Sequence, residues 1–478
     1  MNLPFDLLDD YASSLPFMVR TTAPEPQPEP SVAIINEPLA QELGLSPEWL
    51  RSEEGTSFLL GHGNPSDQPP QAMAYSGHQF GQFNPYMGDG RAALLGEIHT
   101  PRGLIDIHTK GSGLTPWSRP GSDGRGTLSS MLREYLISEA LYGLGIPTTR
   151  SLAVITTGRR IQRTRVEPSA VLVRTAASHI RVGTFQYAAL TGGETATKAL
   201  ADYAIARHYP ELEGLTGPEK YREFFLAVMK RQCHTVALWQ SKGFIHGVMN
   251  TDNTSISGES IDFGPCAFME QYSPSTVFSS IDTGGRYAYG NQPGILGWNL
   301  TRLLETLLPL LHSAPDKALD TAQEIIAIFP AHYEQAFTAV TARGFGISPQ
   351  HPEAQSLTRA YTEALEEHAP DITITNRALV DAAQGDYSRL KRLLPGSAFP
   401  SALKAAKPSP EGLDRFHPLT IPRNKPLDFA LSNASDGFTD AFDDILTSVQ
   451  SPFAPPLIQE LATPDPDGLA GFRTFCGT

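Results

Sequence analysis

From His246 to Pro265 the chain reads HGVMNTDNTSISGESIDFGP and gathers Asp252, Asn253 and Asp262 within one loop. Carboxylate and amide oxygens are hard ligands, so Asn253 and Asp262 suit Mg²⁺ or Mn²⁺ bridging phosphates. Upstream, Gly88 and Gly90 lack the Cβ atoms that would keep backbone N–H groups away from a phosphate. Lys110 supplies a cation, and a helical carboxylate, Glu134 or Glu139, is expected to hold it in place. Five residues apart, the two Glu lie on different flanks of a helix, so only one can face Lys110. His246 is read as an organiser of the loop, because no other His or Cys sits at metal-ligand spacing.

These groups need elements to position them. RAALLGEI and LIDIHTK are β-rich runs around Pro and Gly punctuation, predicting an antiparallel hairpin that ends at Lys110. TLSSMLREYLISEALYGLG repeats Leu128, Leu132, Tyr135 or Leu136, and Ala140 at helical spacing and stops at Gly145. SLAVITTG and AVLVRTA return to strand, with RRIQRTR expected as a solvated hairpin connection. From about residue 197 the pattern is helical, with PEKYREFFLAVMKRQCHTVALWQSKG closing at Gly243 and GILGWNLTRLLETLLPLL strongly apolar. Residues 20–72 are expected to be irregular with short helices, the proline-rich TTAPEPQPEP being a solvated connection. The fold class expected is α+β in two lobes, strand-rich then helix-rich.

In order, a glycine turn, a strand-borne Lys, a helical Glu and an Asn followed by Asp-Phe-Gly match a protein kinase. One position does not. Kinase loops carry the catalytic Asp five residues before the metal-binding Asn, and here that position is Val248.

A chain of 478 residues, 40% hydrophobic, can bury a large core and form two or three domains or lobes. Its formal net charge of -14 argues against nucleic-acid or anionic-membrane partners, which require a cationic face. The N-terminal MNLPFDLLDDYASSLPF carries Asp where a signal peptide carries Lys or Arg, and no apolar run has membrane-spanning length, so cytoplasmic residence is expected. Three cysteines, Cys233, Cys266 and Cys476, are too few for a disulfide framework or a zinc site.

The segments YSGHQFGQFNPYMGDGRAALLGEI, HTKGSGLTPWSRPGSDGRG, LGIPTTRSLAV, VLVRTAASHIRVGTFQYAA, HGVMNTDN, IDFGPCAFME and GRYAYGNQPGILGWNL together resemble the selenoprotein O family of kinase-like protein adenylyltransferases. The likeness runs from about residue 70 to 310 and is weaker beyond, where IPRNKPLDFAL and the tail Cys476 are the recognisable pieces. It implies a two-lobed kinase-like fold, divided as an N-terminal extension 1–70, an N-lobe 71–195, and a helical C-lobe with tail 196–478. It further implies that ATP lies in the kinase cleft turned end for end, so that AMP passes to Ser, Thr or Tyr hydroxyls of proteins, with self-modification and a possible second donor in UTP. With the nucleotide reversed, the base need not occupy the kinase position, and Asp252 resembles the family's proton acceptor. Asn253 and Asp262 match the metal ligands. Gly88, Gly90, Arg91, Lys110, Asp123, Gly124, Arg174 and Arg181 match nucleotide positions, and Glu134 is the better match for the Lys110 partner. RPGSDGRG is a residue longer than expected of bacterial members, which loosens the placement of Asp123 and Gly124. The likeness also suggests a redox role for Cys476; Cys266 is the disulfide partner considered for it, only because it lies just after the Asp-Phe-Gly, beside the metal loop. Two other readings are an ordinary γ-phosphotransferase, which Val248 disfavours, and a nucleotide-binding pseudokinase scaffold, which has little use for Lys110, Asp252, Asn253 and Asp262 together.

Overall fold

The computed structural model describes residues 3–163, 165–467, 469 and 471–475; Cys476 lies outside the described residues. The described strands are β1 Val19–Thr21, β2 Ser31–Ile35, β3 Gln71–Met73, β4 Gly77–Gln79, β5 Gln82–Asn84, β6 Ala92–Thr100, β7 Gly103–Lys110, β8 Gly126–Thr127, β9 Arg150–Gln162, β10 Val166–Ala176, β11 Phe244–Ile245 and β12 Ala267–Phe268. The main sheet runs β1-β3-β6-β7-β10-β9-β2, with β8 added on β10, and its pairings are antiparallel. The hairpin expected before Lys110 is β6–β7, paired from Thr100↔Gly103 to Ala92↔Lys110. Residues 20–72 contain the expected short helices and also strands: β2 lies wholly inside the segment, while β1 overlaps its start and β3 its end. The polar punctuation masked them, because a strand of three to five residues leaves too little periodicity to read.

Both faces of the sheet are covered. On one side the Glu37–Glu42, Pro47–Arg51 and Glu53–Leu59 helices bring Leu39, Leu50 and Phe58 against Ile107, Ile155, Val171 and Val173. On the other lies the Leu128–Gly143 helix, capped where the Thr127 side chain accepts from Ser130 N. It is buried nearly all round, so its polar residues must find partners inside. Ser138 meets Ser151, and Glu139 takes the Arg150 guanidinium through two contacts of 2.7 and 2.6 Å.

The later chain is helical. The helix expected from about 197 begins earlier, at Val182, and runs to His208 with a break at Gly193. Gly217–Lys242 ends on Gly243 in the left-handed region (φ +70°), as the sequence predicts. Together with Gln292–Leu311 these helices share one apolar core with the Leu128–Gly143 helix. Between Asn253 and Asp262 the chain makes a tight turn over Ser255–Glu259, while the ladder that closes the loop is β11–β12 farther out. In RRIQRTR, Arg159 and Arg160 extend β9, and Arg163 turns back to pair with Asp123 at 2.8 Å. No helix among the described residues is long and apolar enough to cross a membrane.

Arg150 is 10% exposed and its main carboxylate partner is Glu139. Glu139→Ala is expected to cost about 3–5 kcal/mol, the usual loss when one member of a buried pair is removed. A lower urea midpoint with an unchanged slope would show it.

Candidate active site

Alternation along β7 sends Ile105 and Ile107 to the face under the N-terminal helices and Asp106, His108 and Lys110 to the other. These three polar side chains are buried, and each is answered by charge. Lys110 Nζ reaches Glu134 Oε1 at 2.5 Å and also Asp262 Oδ1. Glu139, occupied with Arg150, takes no part. Arg174 stands opposite His108 in the β7–β10 register; its Nη1 donates to Asp262 Oδ1 at 3.0 Å and its Nε to His108 Nδ1 at 3.4 Å. Burial alone would raise the Asp262 carboxyl, but Lys110, Arg174 and Arg181 outweigh it and hold it well below the usual range. Asp262 also sits at φ +67°, a conformation an L-residue rarely adopts and which the surrounding contacts must enforce.

The cations line a cavity of about 940 Å³ between the sheet and the 246–264 loop. Of the residues singled out in the sequence, Gly88, Gly90, Arg91, Lys110, Asp123, Glu134, Arg174, Arg181, Asp252, Asn253 and Asp262 line it. Gly124 does not. Its left-handed backbone (φ +69°) packs on Gly113, where a Cβ would lie 2.2 Å from the Gly113 carbonyl carbon. Gly88, also left-handed (φ +70°), presses on Trp117, whose ring a Cβ would meet at 2.4 Å. Arg91 brings a buried Nη1 with no partner among the described residues, and Val248 is on the wall.

Asp252 is buried among these groups. Burial raises its carboxyl to about 6 against the opposing pull of Arg181, so it is a stronger base than the ordinary carboxylate the sequence suggests, and still mostly ionised at pH 7. Oδ2 accepts from Gln79 at 3.4 Å; among the described residues Oδ1 has no partner. Next to it, Asn253 donates Nδ2 to the Val248 carbonyl at 3.0 Å, leaving Oδ1 as its remaining acceptor. The position where a kinase keeps its base thus serves through its backbone. His246 organises the loop as expected, contacting the Ile261 carbonyl at 2.8 Å and taking Val248 N on its other nitrogen. Buried amides do the rest: Asn299 bonds Met249 O and Gln292 bonds His246 N and Phe244 O.

Sequence reasoning missed several supporting groups. Asp89, inside the glycine turn, accepts from His108 Nε2 at 2.9 Å and lies 3.9 Å from Arg181; burial raises it, yet His108 and the arginines bring it to about 2. Arg133, beside Glu134, donates to the Gly264 and Cys266 carbonyls, tying the helix to the Asp-Phe-Gly segment. The alternation Asp106, His108, Lys110 was visible, but on a strand it reads as a solvated face. The β4–β5 hairpin closes over Asp252: His78 N donates to Thr251 Oγ1 at 2.7 Å, and Ser76 N to the Gly183 carbonyl at 2.9 Å. A Cβ on Gly183 would fall 2.1 Å from Ser76 O. Gly183→Ala is therefore expected to lift the hairpin, seen as faster amide exchange across residues 76–84 with the β6–β7 amides unchanged.

Among the described residues no group of three or more His, Cys, Asp or Glu is placed to hold a metal ion. Comparison with known proteins adds what geometry cannot. The family model for Protein adenylyltransferase SelO matches residues 9–405. The Protein nucleotidyltransferase YdiU of Corynebacterium efficiens is 48% identical over 484 residues, covering 99% of this chain and 97% of the relative. That of Mycobacterium sp. (strain KMS) is 47% identical over 475 residues, covering 98% of each, and that of Rhodococcus jostii 47% over 468, covering 94% and 90%. With a family model spanning most of the chain and near-full-length relatives at this identity, the chain belongs to the SelO/YdiU family of protein nucleotidyltransferases.

Proposed function

We propose that this chain transfers AMP from ATP to Ser, Thr or Tyr hydroxyls of proteins, itself included, within a two-lobed kinase-like fold. The N-lobe would run from about 71 to 195 and the C-lobe from about 196, after an N-terminal extension. The observation that carries the reading is Asp252 Oδ1, a buried, raised-pKa oxygen with no partner among the described residues, in the same cavity as three cations converging on Asp262. A hydroxyl is the donor that oxygen lacks.

The donor set fits a hard divalent cation: Asn253 Oδ1 is spare, and the Asp262 carboxylate is met by cationic side chains alone. Asn253 and Asp262 would hold Mg²⁺ or Mn²⁺, which when bound supplies charge neutralisation to the phosphates. Lys110, Arg174 and Arg181 keep fixed positive charge facing the same oxygens, with Glu134 and His108 setting the Lys110 and Arg174 side chains. Arg91 and the Gly88–Gly90 backbone lie along the same wall, with Asp123 locked by Arg163 at the far rim. The acceptor oxygen attacks the α-phosphorus as its proton passes to Asp252. The bond from that phosphorus to the α–β bridging oxygen breaks, leaving a phosphodiester on the protein and pyrophosphate as the departing group. UTP is the second candidate donor.

Purified protein incubated with Mn²⁺ or Mg²⁺ and ATP labelled at the α- or the γ-phosphate tests the reading. Label from the α position alone is expected, and it should fall at least about a hundredfold in Asp252→Ala, the scale of a lost general base. Asp262→Ala should abolish it. Label from the γ position would make the protein a phosphotransferase; nucleotide binding with no label from either would make it a scaffold.

A further inference from the structure

The cavity floor is occupied by groups suited to the nucleotide, but its rim beside Asp252 carries charge and apolar surface that the nucleotide does not explain. At the tip of the β4–β5 hairpin, a methyl on Gly81 would stand 3.5 Å from Arg286 Cζ. Arg286 is half-buried, makes no ion pair among the described residues, and has a buried Nε without a hydrogen-bond partner. Its guanidinium packs on Trp298, 4.9 Å from the ring centroid, while Arg302 packs on the same ring at 5.1 Å. The neighbouring carboxylates are already engaged: Asp282 accepts from the backbone N of Arg286 and Tyr287, and Glu305 pairs with Arg302 at 2.6 Å. Across the hairpin the exposed Arg119, also without an ion pair among the described residues, donates to Gln79, which in turn donates to Asp252. Burial lowers the His78 pKa against the opposing hydrogen bond to Gln186, with Arg302 and Arg286 adding to the fall. Three large apolar side chains are exposed: Phe83 (44%) on β5, Tyr86 (65%) just after it, and Ile281 (52%) on the cavity wall. Ile281 and Arg119 line the cavity, and Arg286 is not among the residues that do.

We propose that this rim docks the acceptor segment, and that the segment is acidic: a Ser, Thr or Tyr flanked by Asp or Glu, with an apolar neighbour resting on Phe83 or Tyr86. The proposal rests on Asp252 being the hydroxyl's proton acceptor. A half-desolvated guanidinium without a carboxylate gains a charge-assisted hydrogen bond from such a segment, whereas a basic segment brings like charges together. In a chain of net charge -14, this is a local cationic edge around an acidic catalytic group, so selection by charge acts where the hydroxyl must arrive.

The test uses the full chain, α-labelled ATP, Mn²⁺ and three peptide series that carry one hydroxyl residue flanked by Asp/Glu, by Ala/Gln or by Lys/Arg. Acidic peptides are expected to exceed neutral ones about tenfold in kcat/KM, mostly through KM, the size of a hydrogen bond to a charged group. In Arg286→Glu the order should invert toward basic peptides, and in Arg286→Gln the acidic and neutral series should converge; a thermal melt of each variant establishes that it is folded. Equal labelling of acidic and basic peptides by the wild type, or an unchanged order in a folded Arg286 variant, overturns the proposal. Self-labelling with none of the peptides labelled also overturns it while leaving AMP transfer intact. An absence of α-label on protein and peptide alike sinks the transfer reading and the docking with it.

Discussion

The Asp262 carboxylate, buried and faced by Lys110, Arg174 and Arg181, is the interaction on which the rest of the site depends. A lone buried carboxylate would be costly in this setting and would protonate; cations from β7, from β10 and from the start of the Val182–His208 helix keep it ionised. Each cation is then held by something else. Glu134 takes Lys110, His108 takes Arg174, and Tyr75 lies under Arg181, 4.5 Å from guanidinium carbon to ring centroid. A charge cluster of this kind contributes little net stability by itself, and its value is that the sheet, the helices and the loop can satisfy it in only one relative arrangement.

That constraint extends behind the site. His108 stacks on His179 at 4.2 Å between centroids, His179 meets Asp106 at 2.9 Å, and Arg207 bridges Asp106 to Glu97. Glu97 accepts from Asp10 N and Tyr11 N, which brings the first helix of the chain into the same network. Burial lowers both histidines, so His108 and His179 are neutral and act as oriented donors and acceptors between charges. The network therefore links the N-terminal segment to Asp262 through a chain of buried, hydrogen-bonded groups.

Opposite the cations, the loop bearing Asp252 and Asn253 is held by amides and hydroxyls: Asn250 on Phe80 N and Tyr287, Asn299 on Met249 O, Thr251 on Gln186. Neutral partners suit this side of the cavity. A further charge here would compete with Asp252, whereas carbonyl and amide dipoles fix the backbone and leave its carboxylate free.

Residue type and order alone determined much of the chemistry: hard oxygens at Asn253 and Asp262, an absent base at Val248, a strand ending at Lys110, and a helix carrying Glu134. These are local properties, written in spacing and periodicity. Tertiary structure decided what depends on which faces meet. It set Glu134 rather than Glu139 against Lys110, because Arg150 on β9 claims Glu139. It turned the polar face of β7 inward, so that Asp106 and His108 became buried supports, and it found strands in residues whose polar composition concealed them. It also buried Asp252 without a partner for one oxygen, giving an ordinary carboxylate an elevated pKa. Desolvation and pairing arise from elements distant in sequence, and that is why periodicity could locate these groups without saying what they would touch.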